Sequence, residues 1–73
     1  MDAREIEKTI WDAVENWKKV RIVTKFGDEF IGESDGLVNK WDSEDGYTEI
    51  CLDLGGKKIG LSAGLIETIE IVN

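Results

Sequence analysis

The chain has no histidine and no proline, and Cys51 is the only cysteine among its 73 residues. With no histidine and one thiol, a protomer cannot supply the set of soft ligands that zinc or iron–sulfur centres require. A single cysteine also cannot form a disulfide within the chain, and it is typical of a reducing compartment. We therefore expect no metal site and no cofactor.

Long apolar segments are absent as well. No run approaches the ~20 apolar residues that are needed to span a bilayer. The start of the sequence, Met-Asp-Ala-Arg-Glu, does not resemble a signal peptide. These absences predict a cytoplasmic protein that has no membrane partner.

Acidic side chains outnumber basic ones, sixteen to nine, which gives a formal net charge of -7. This charge repels the phosphates of nucleic acids, whose binding proteins usually carry a basic patch. Two basic groups exist nonetheless: the pair Lys57-Lys58 and a cluster within eight positions. The cluster is either a helix end followed by a solvated strand face or a candidate RNA contact. Its members are Lys18, Lys19, Arg21 and Lys25.

The reactive side chains do not indicate catalysis. Carboxylates are the only abundant ones, and a carboxylate pair needs a cleft for which a filled domain of 73 residues leaves little room. Cys51 has no histidine to activate it and lies between Glu49 and Asp53, so we interpret it as a structural thiol. Residues 42–46 resemble the start of a calcium loop, but the twelfth position is Asp53 instead of a bidentate glutamate. We interpret them as a solvated hairpin tip and predict that the chain is not an enzyme.

Residues 2–18 predict an amphipathic helix. Asp2 and Glu5 have the spacing of a capping box at its start. Trp11 lies about 140° around the helix from Ile6, outside the apolar face, so it either folds over the edge of the core or belongs to a partner surface. The apolar face consists of Ile6, Ile10, Ala13, Val14 and Trp17.

Alternating apolar residues after the helix predict five short strands, at 20–26, 29–40, 47–54, 57–61 and 66–72. Gly32 lies inside the second strand and permits a bend there. Gly55 and Gly56 fit a two-residue hairpin loop, in which both positions require positive φ. Residues 62–65 are short enough for a single 3₁₀ turn. Trp41 and Tyr47 flank the polar turn at 42–46 and are, with Trp11, candidates for a partner surface.

A helix followed by five short antiparallel strands with a bent second strand is similar to the Sm-like fold. The segment Gly27-Asp-Glu-Phe-Ile-Gly32 resembles the Gly-x-x-hydrophobic-x-Gly motif of that family. The segment from Leu61 to Ile69 resembles the hydrophobic-Arg-Gly-x-x-Ile-x-x-Ile motif that joins the family's last two strands. The resemblance covers roughly residues 3–72. It implies a mainly β chain with one N-terminal helix, a single domain over residues 1–73, whose strands at 20–72 form a small, strongly bent antiparallel barrel.

The residues with which Sm-like proteins contact RNA are only partly present. Ser62 and Ala63 replace the Arg-Gly pair that lines the family's base pocket, so the guanidinium is missing. The stretch from Asp35 to Asn39 resembles the Asp-x-x-x-Asn part of the pocket but begins only three residues after Gly32. An odd shift in a strand turns each side chain to the other face. Asn39 is therefore either a candidate RNA contact or an ordinary polar residue of a strand or turn.

Three functions remain open from the sequence. The resemblance implies a homo-oligomer or protein-interaction module in which the fourth strand of one protomer pairs with the fifth strand of the next. The alternatives are an Sm-like RNA-binding protein and an acidic inhibitor that imitates nucleic acid and binds a nucleic-acid-binding protein. The candidate oligomer interface consists of Ile59, Leu61, Ile69 and Ile71.

Overall fold

The computed structural model describes residues 1–72, which form one helix, five strands and one 3₁₀ turn. The prediction of a mainly β chain with one N-terminal helix is confirmed. In chain order the elements are α1 Ala3–Glu15, β1 Lys19–Thr24, β2 Glu29–Val38, β3 Glu49–Asp53, β4 Lys58–Ser62, the 3₁₀ turn Ala63–Leu65 and β5 Ile66–Val72. No helix among these residues is long and apolar enough to cross a membrane.

All five strands belong to one antiparallel sheet in the order β4-β3-β2-β1-β5. β2 changes partner along its length, since Glu33 lies opposite Lys19 of β1 and also opposite Asp53 of β3. No pairing joins β4 to β5 within residues 1–72, so the strands that we predicted to form a barrel make an open sheet in the single chain. Both end strands therefore have a free edge.

β2 contains two glycines, and each is required for a different structural reason. A Cβ on Gly32 would lie 2.7 Å from the backbone oxygen of Asp53, so β3 approaches too closely for any side chain there. Gly36, with φ +143°, follows a bulge between Ser34 and Gly36. The extra residue of the bulge shifts the alternation, and for that reason Leu37 packs against the core.

The core lies between the sheet and α1, which contacts β5, β2 and the 3₁₀ turn. The buried helix residues include Ile6 and Ile10, as the apolar periodicity predicts. The inward strand residues Ile50 and Leu52 are fully buried, again as predicted. The complete core is Ile6, Ile10, Ala13, Val20, Ile22, Ile50, Leu52, Ala63, Ile66 and Ile69.

The helix ends three residues before its predicted limit. Trp17 has φ +52°, its N–H donates to the carbonyl of Val14 at 3.3 Å, and the N–H of Lys18 donates to the carbonyl of Ala13 at 2.9 Å. These two bonds form a Schellman motif, in which a left-handed residue ends the helix. The turn takes Trp17 off the helical stripe, and its side chain is 66% exposed instead of belonging to the predicted apolar face.

Local side-chain bonds fix the other element ends. Asp2 accepts from the N–H of Glu5 at 2.9 Å and caps α1, as the sequence predicts. β2 ends at Val38 and not near residue 40, because Asn39 Oδ1 accepts from the N–H of Trp41 at 3.1 Å and starts a turn. Gly55 and Gly56 have φ +86° and +107°, as their hairpin loop requires. The predicted 3₁₀ turn is also present.

Candidate assembly interface

The free edge of β4 presents unpaired backbone groups to one side. Two hydrogen bonds fix which residues face β3: the N–H of Leu54 donates to the carbonyl of Lys57 at 2.8 Å, and the N–H of Ala63 donates to that of Thr48 at 2.8 Å. Partners in an antiparallel ladder alternate along the strand. The residues between these positions therefore turn their N–H and C=O groups away from the sheet; they are Lys58, Gly60 and Ser62.

The free edge of β5 is identified by a different contact. The N–H of Ile69 donates to Sδ of Met1 at 3.4 Å and so does not face β1. By the same alternation, Ile71 also turns its backbone groups to the open side of β5. Each edge thus offers the alternating donors and acceptors that a further antiparallel strand requires.

Three of the four predicted interface side chains keep some exposure. Ile59 and Leu61 on β4 and Ile71 on β5 are half-buried and pack against the margin of the core. Ile69 differs, since its side chain is only 3% exposed and belongs to the core. At the edge Ile69 therefore presents only its backbone, whose N–H is bonded to Met1.

Charges of opposite sign mark the two edges. Lys58, the first residue of β4, and Lys57 just before it are exposed, whereas Glu67 and Glu70 are exposed on β5. Lys58 Nζ lies 2.7 Å from Oδ2 of Asp35, and this bond raises the pKa of the lysine. The ammonium therefore stays charged throughout the neutral range.

The members of the basic cluster that is a candidate RNA contact have different surroundings: Arg21 is paired with carboxylates, whereas the lysines are exposed. Arg21 Nε lies 2.5 Å from Oε2 of Glu29, and its Nη1 lies 3.3 Å from Oε1 of Glu70. The bond to Glu29 raises the pKa of the guanidinium, which is permanently charged but flanked by two carboxylates. The remaining members are exposed to solvent; they are Lys18, Lys19 and Lys25.

Asn39 and the candidate aromatic residues lie on separate elements. Asn39 is half-buried and organises the turn after β2, where Lys40 Nζ lies 5.3 Å from the centre of the Trp41 ring. Trp41 is 83% exposed, and Trp11 on α1 is 41% exposed. Tyr47 is partly covered, because its ring lies so close to Gly64 that a Cβ there would be 2.9 Å away.

Two aromatic side chains are exposed although the sequence pattern did not predict it. Phe26 is 78% exposed at the β1–β2 turn, although alternation assigns it to the first strand. The glycine that follows, Gly27, is a sequence signal that the hairpin tip begins before Phe26. In the structure this glycine has φ +90°. For Trp17 the sequence has no such signal, because glycine or asparagine normally occupies that position of the motif.

A polar cavity of about 400 Å³ lies beside the β2–β3 loop. Asp45 accepts from the hydroxyl of Ser62 and from the N–H of Tyr47, and these bonds lower the pKa of the carboxyl. The arrangement ties the loop to the end of β4. Nothing in residues 1–72 groups three acidic, cysteine or histidine side chains in a metal-binding arrangement. Burial and the neighbouring Glu49 raise the pKa of the Cys51 thiol, which therefore stays protonated near neutral pH.

No protein-family model, no curated protein and no solved structure matches this chain significantly. Its function is therefore inferred from the sequence and from the geometry of the two edges.

Proposed function

We propose that this chain is a non-enzymatic Sm-like assembly module, in which β4 of one protomer adds to β5 of the next. The observation that carries the proposal is the strand order, which leaves β4 and β5 as unpaired edges at opposite ends of one sheet. Unpaired edges are templates for further strands, and pairing them with each other removes both. A chain of 73 residues also gains from assembly, since it buries only about 60% of its unfolded surface by itself.

The side chains at the edges favour such pairing. Ile59, Leu61 and Ile71 are apolar and only half-buried, so a strand added at either edge covers more of their surface. Each Å² of apolar surface removed from water contributes about 25 cal/mol. The backbone bonds would supply geometry, and these side chains would supply part of the affinity.

The charges favour pairing between unlike edges. Antiparallel addition brings the start of β4, with Lys57 and Lys58, near the end of β5, with Glu70. Pairing of β5 with a second β5 would bring carboxylates together instead. Unlike edges make a head-to-tail interface, which closes into a ring or continues as a filament.

The Sm-like assignment is supported by two features of β2 and by the position of the last strands. β2 changes partner next to Gly32, and this glycine has no room for a side chain. A strand that leaves one partner for another at a glycine is well suited to a sharp bend. The family's pairing of fourth and fifth strands needs both at the sheet edges, where they lie in this chain.

Substitution of Ser62 tests the assembly, with a matched control at the same position. Ser62 has φ -70°, which proline adopts, and its N–H faces the open edge. Ser62→Pro removes this donor and places a ring at the edge, so we expect association to weaken about tenfold. Ser62→Ala loses the same hydroxyl bonds to Asp45 and Gly64 but keeps the N–H, so it should associate nearly as the parent does.

Sedimentation equilibrium over a concentration series measures the association constant of both variants. Thermal unfolding measures their stability, which the loss of the hydroxyl bonds should lower equally. A parent chain that stays monomeric at high micromolar concentration would contradict the proposal. Equal association of the proline and alanine variants would show that β4 does not form the interface.

RNA binding is the second candidate, favoured by one observation. Trp17 is exposed beside Lys18 and Lys19, and an aromatic ring with adjacent cations is typical of surfaces that stack single-stranded bases. Its left-handed backbone costs about 1–2 kcal/mol for a residue with a side chain. Strain of this kind is a reason to look for a function at the residue.

Trp17→Gly separates the strain from a role in binding. Glycine relieves the left-handed conformation, so we expect the free energy of unfolding to rise by about 0.5–1 kcal/mol. If the ring stacks on bases, affinity for uridine-rich or adenine-rich oligonucleotides at low salt should fall. Fluorescence anisotropy measures this affinity, with Trp41→Gly as the control for loss of an exposed tryptophan. Absence of any binding by the parent chain at low salt would remove this candidate.

A further inference from the structure

Within residues 1–72, an outward N–H of β5 is bonded to a side chain, whereas none of the outward N–H groups of β4 is. The Ile69 N–H, which faces the open side, donates to the thioether of Met1 at 3.4 Å. A thioether is a weak acceptor, and the Met1 side chain is 47% exposed. The contact is therefore one that opens at little cost.

Met1 also lines two cavities. The larger, of about 360 Å³, is lined by Met1 together with Arg21, Thr68 and Glu70 on the outer side of the sheet. The smaller, of about 80 Å³, is lined by Met1 together with Ala3, Lys25 and Tyr47 on the side of the helix. The methionine therefore crosses the edge of β5 from one face to the other.

From this geometry we infer that Met1 is a displaceable cover of the β5 edge, and that β4 of a second copy must move it before pairing. The inference rests on the proposed assembly and adds its regulation. The occupant follows from the strand edges, because Ile69 and Ile71 turn their backbone groups to the open side of β5 as Lys58, Gly60 and Ser62 do on β4. Covering an edge with a side chain is one way to restrain indiscriminate strand pairing.

The cover reduces the fraction of chains that are competent to pair. The apparent dissociation constant equals the intrinsic one divided by that fraction. If the edge is uncovered in about one chain in five, removal of the methionine side chain tightens association about fivefold. The Ile69 amide should become more accessible to solvent at the same time.

Two replacements at position 1 test the inference on the full chain. Met1→Ala, produced by cleaving a fusion directly before residue 1, removes both the sulfur and the covering volume. Norleucine, incorporated in place of the chain's single methionine, keeps the volume and removes only the sulfur. Circular dichroism verifies that each chain is folded.

Two measurements report on the cover independently of each other. Amide hydrogen exchange of Ile69, at a concentration where the chain is monomeric, should be about fivefold faster in Met1→Ala and intermediate with norleucine. Sedimentation should give an about fivefold lower dissociation constant for Met1→Ala. Unchanged exchange at Ile69 overturns the cover, even where the chain assembles. Faster exchange with unchanged or weaker association overturns its role in assembly. Absence of association in every chain, with faster exchange, overturns the proposed function and leaves the covered edge.

Discussion

The two free edges of the sheet are unlike in charge, in cover and in the use of their side chains. β4 begins at Lys58, which follows the exposed Lys57, and its last residue, Ser62, is bonded to Asp45 of the neighbouring loop. β5 carries exposed glutamates and is crossed by Met1. Two identical edges would favour symmetric pairs, whereas unlike edges favour a head-to-tail interface. In the proposed assembly, β4 is the strand that is added and β5 is the edge that receives it.

The largest expected effect is on stability, and it distinguishes a core residue of β5 from an edge residue of the same strand. Ile69 and Ile71 both turn their backbone to the open edge, but of the two only Ile69 is buried in the core. We expect Ile69→Ala to lower the free energy of unfolding by about 2–5 kcal/mol. Ile71→Ala should cost about 1 kcal/mol or less in stability and weaken association instead.

Chemical denaturation and sedimentation equilibrium measure the two quantities separately. An equal loss of stability in both variants would contradict the distinction between core and edge. An Ile71→Ala chain that associates like the parent would show that this side chain lies outside the interface.

Charge reversal at the two edges is expected to have an intermediate effect. Lys57→Glu alone and Glu70→Lys alone should each weaken association about two- to fivefold, because an exposed ion pair contributes about 0.2–1 kcal/mol. The double variant restores opposite charges and should recover most of the affinity. Sedimentation at low and high salt measures the coupling, which should fade as salt increases. Lys8→Glu, at an exposed lysine of α1 outside both edge strands, controls for net charge. Additive losses in the double variant would refute direct pairing of these ends.

The smallest expected effect concerns the hairpin that precedes β4. Asp53 accepts from the N–H groups of Gly56 and Gly55, and these bonds lower its pKa below the usual 3.8. A depressed pKa in the folded state stabilises the protein above the unfolded value, and this contribution is lost as the pH falls through the folded value. On acidification we therefore expect the parent chain to lose slightly more stability than Asp53→Asn. Thermal unfolding at pH 7 and pH 3 compares the variant with the parent; identical acid sensitivity would argue against a role for this turn.

Local chemistry explains which parts of the fold could be predicted. The cap at Asp2, the glycine loop at 55–56 and the 3₁₀ turn each depend on a few neighbouring residues, and all three are present. The end of the helix could not be predicted, since a tryptophan in the left-handed conformation contradicts its intrinsic preference. The chain accepts this conformation because β1 must begin at Lys19 for its apolar residues to reach the core.

The candidate interface could be predicted only in part, because its burial depends on contacts that the local pattern does not contain. Alternation assigns Ile59, Leu61, Ile69 and Ile71 equally to the inner side of their strands, and it holds no information about what covers each one. Ile69 is buried by the helix and the strands around it, while Ile71 lies farther toward the margin. Burial of this kind depends on contacts between residues far apart in the sequence.

By itself the sequence determined the kind of each element, the turns and the sign of charge at each edge. These properties follow from backbone preference, capping and composition, which neighbouring residues decide. Tertiary structure alone decided that the sheet stays open in one chain, that a bulge at Ser34–Gly36 brings Leu37 to the core, and that Met1 reaches Ile69. Each of these depends on the distance between segments that are remote in the chain, and only packing around a common core sets that distance.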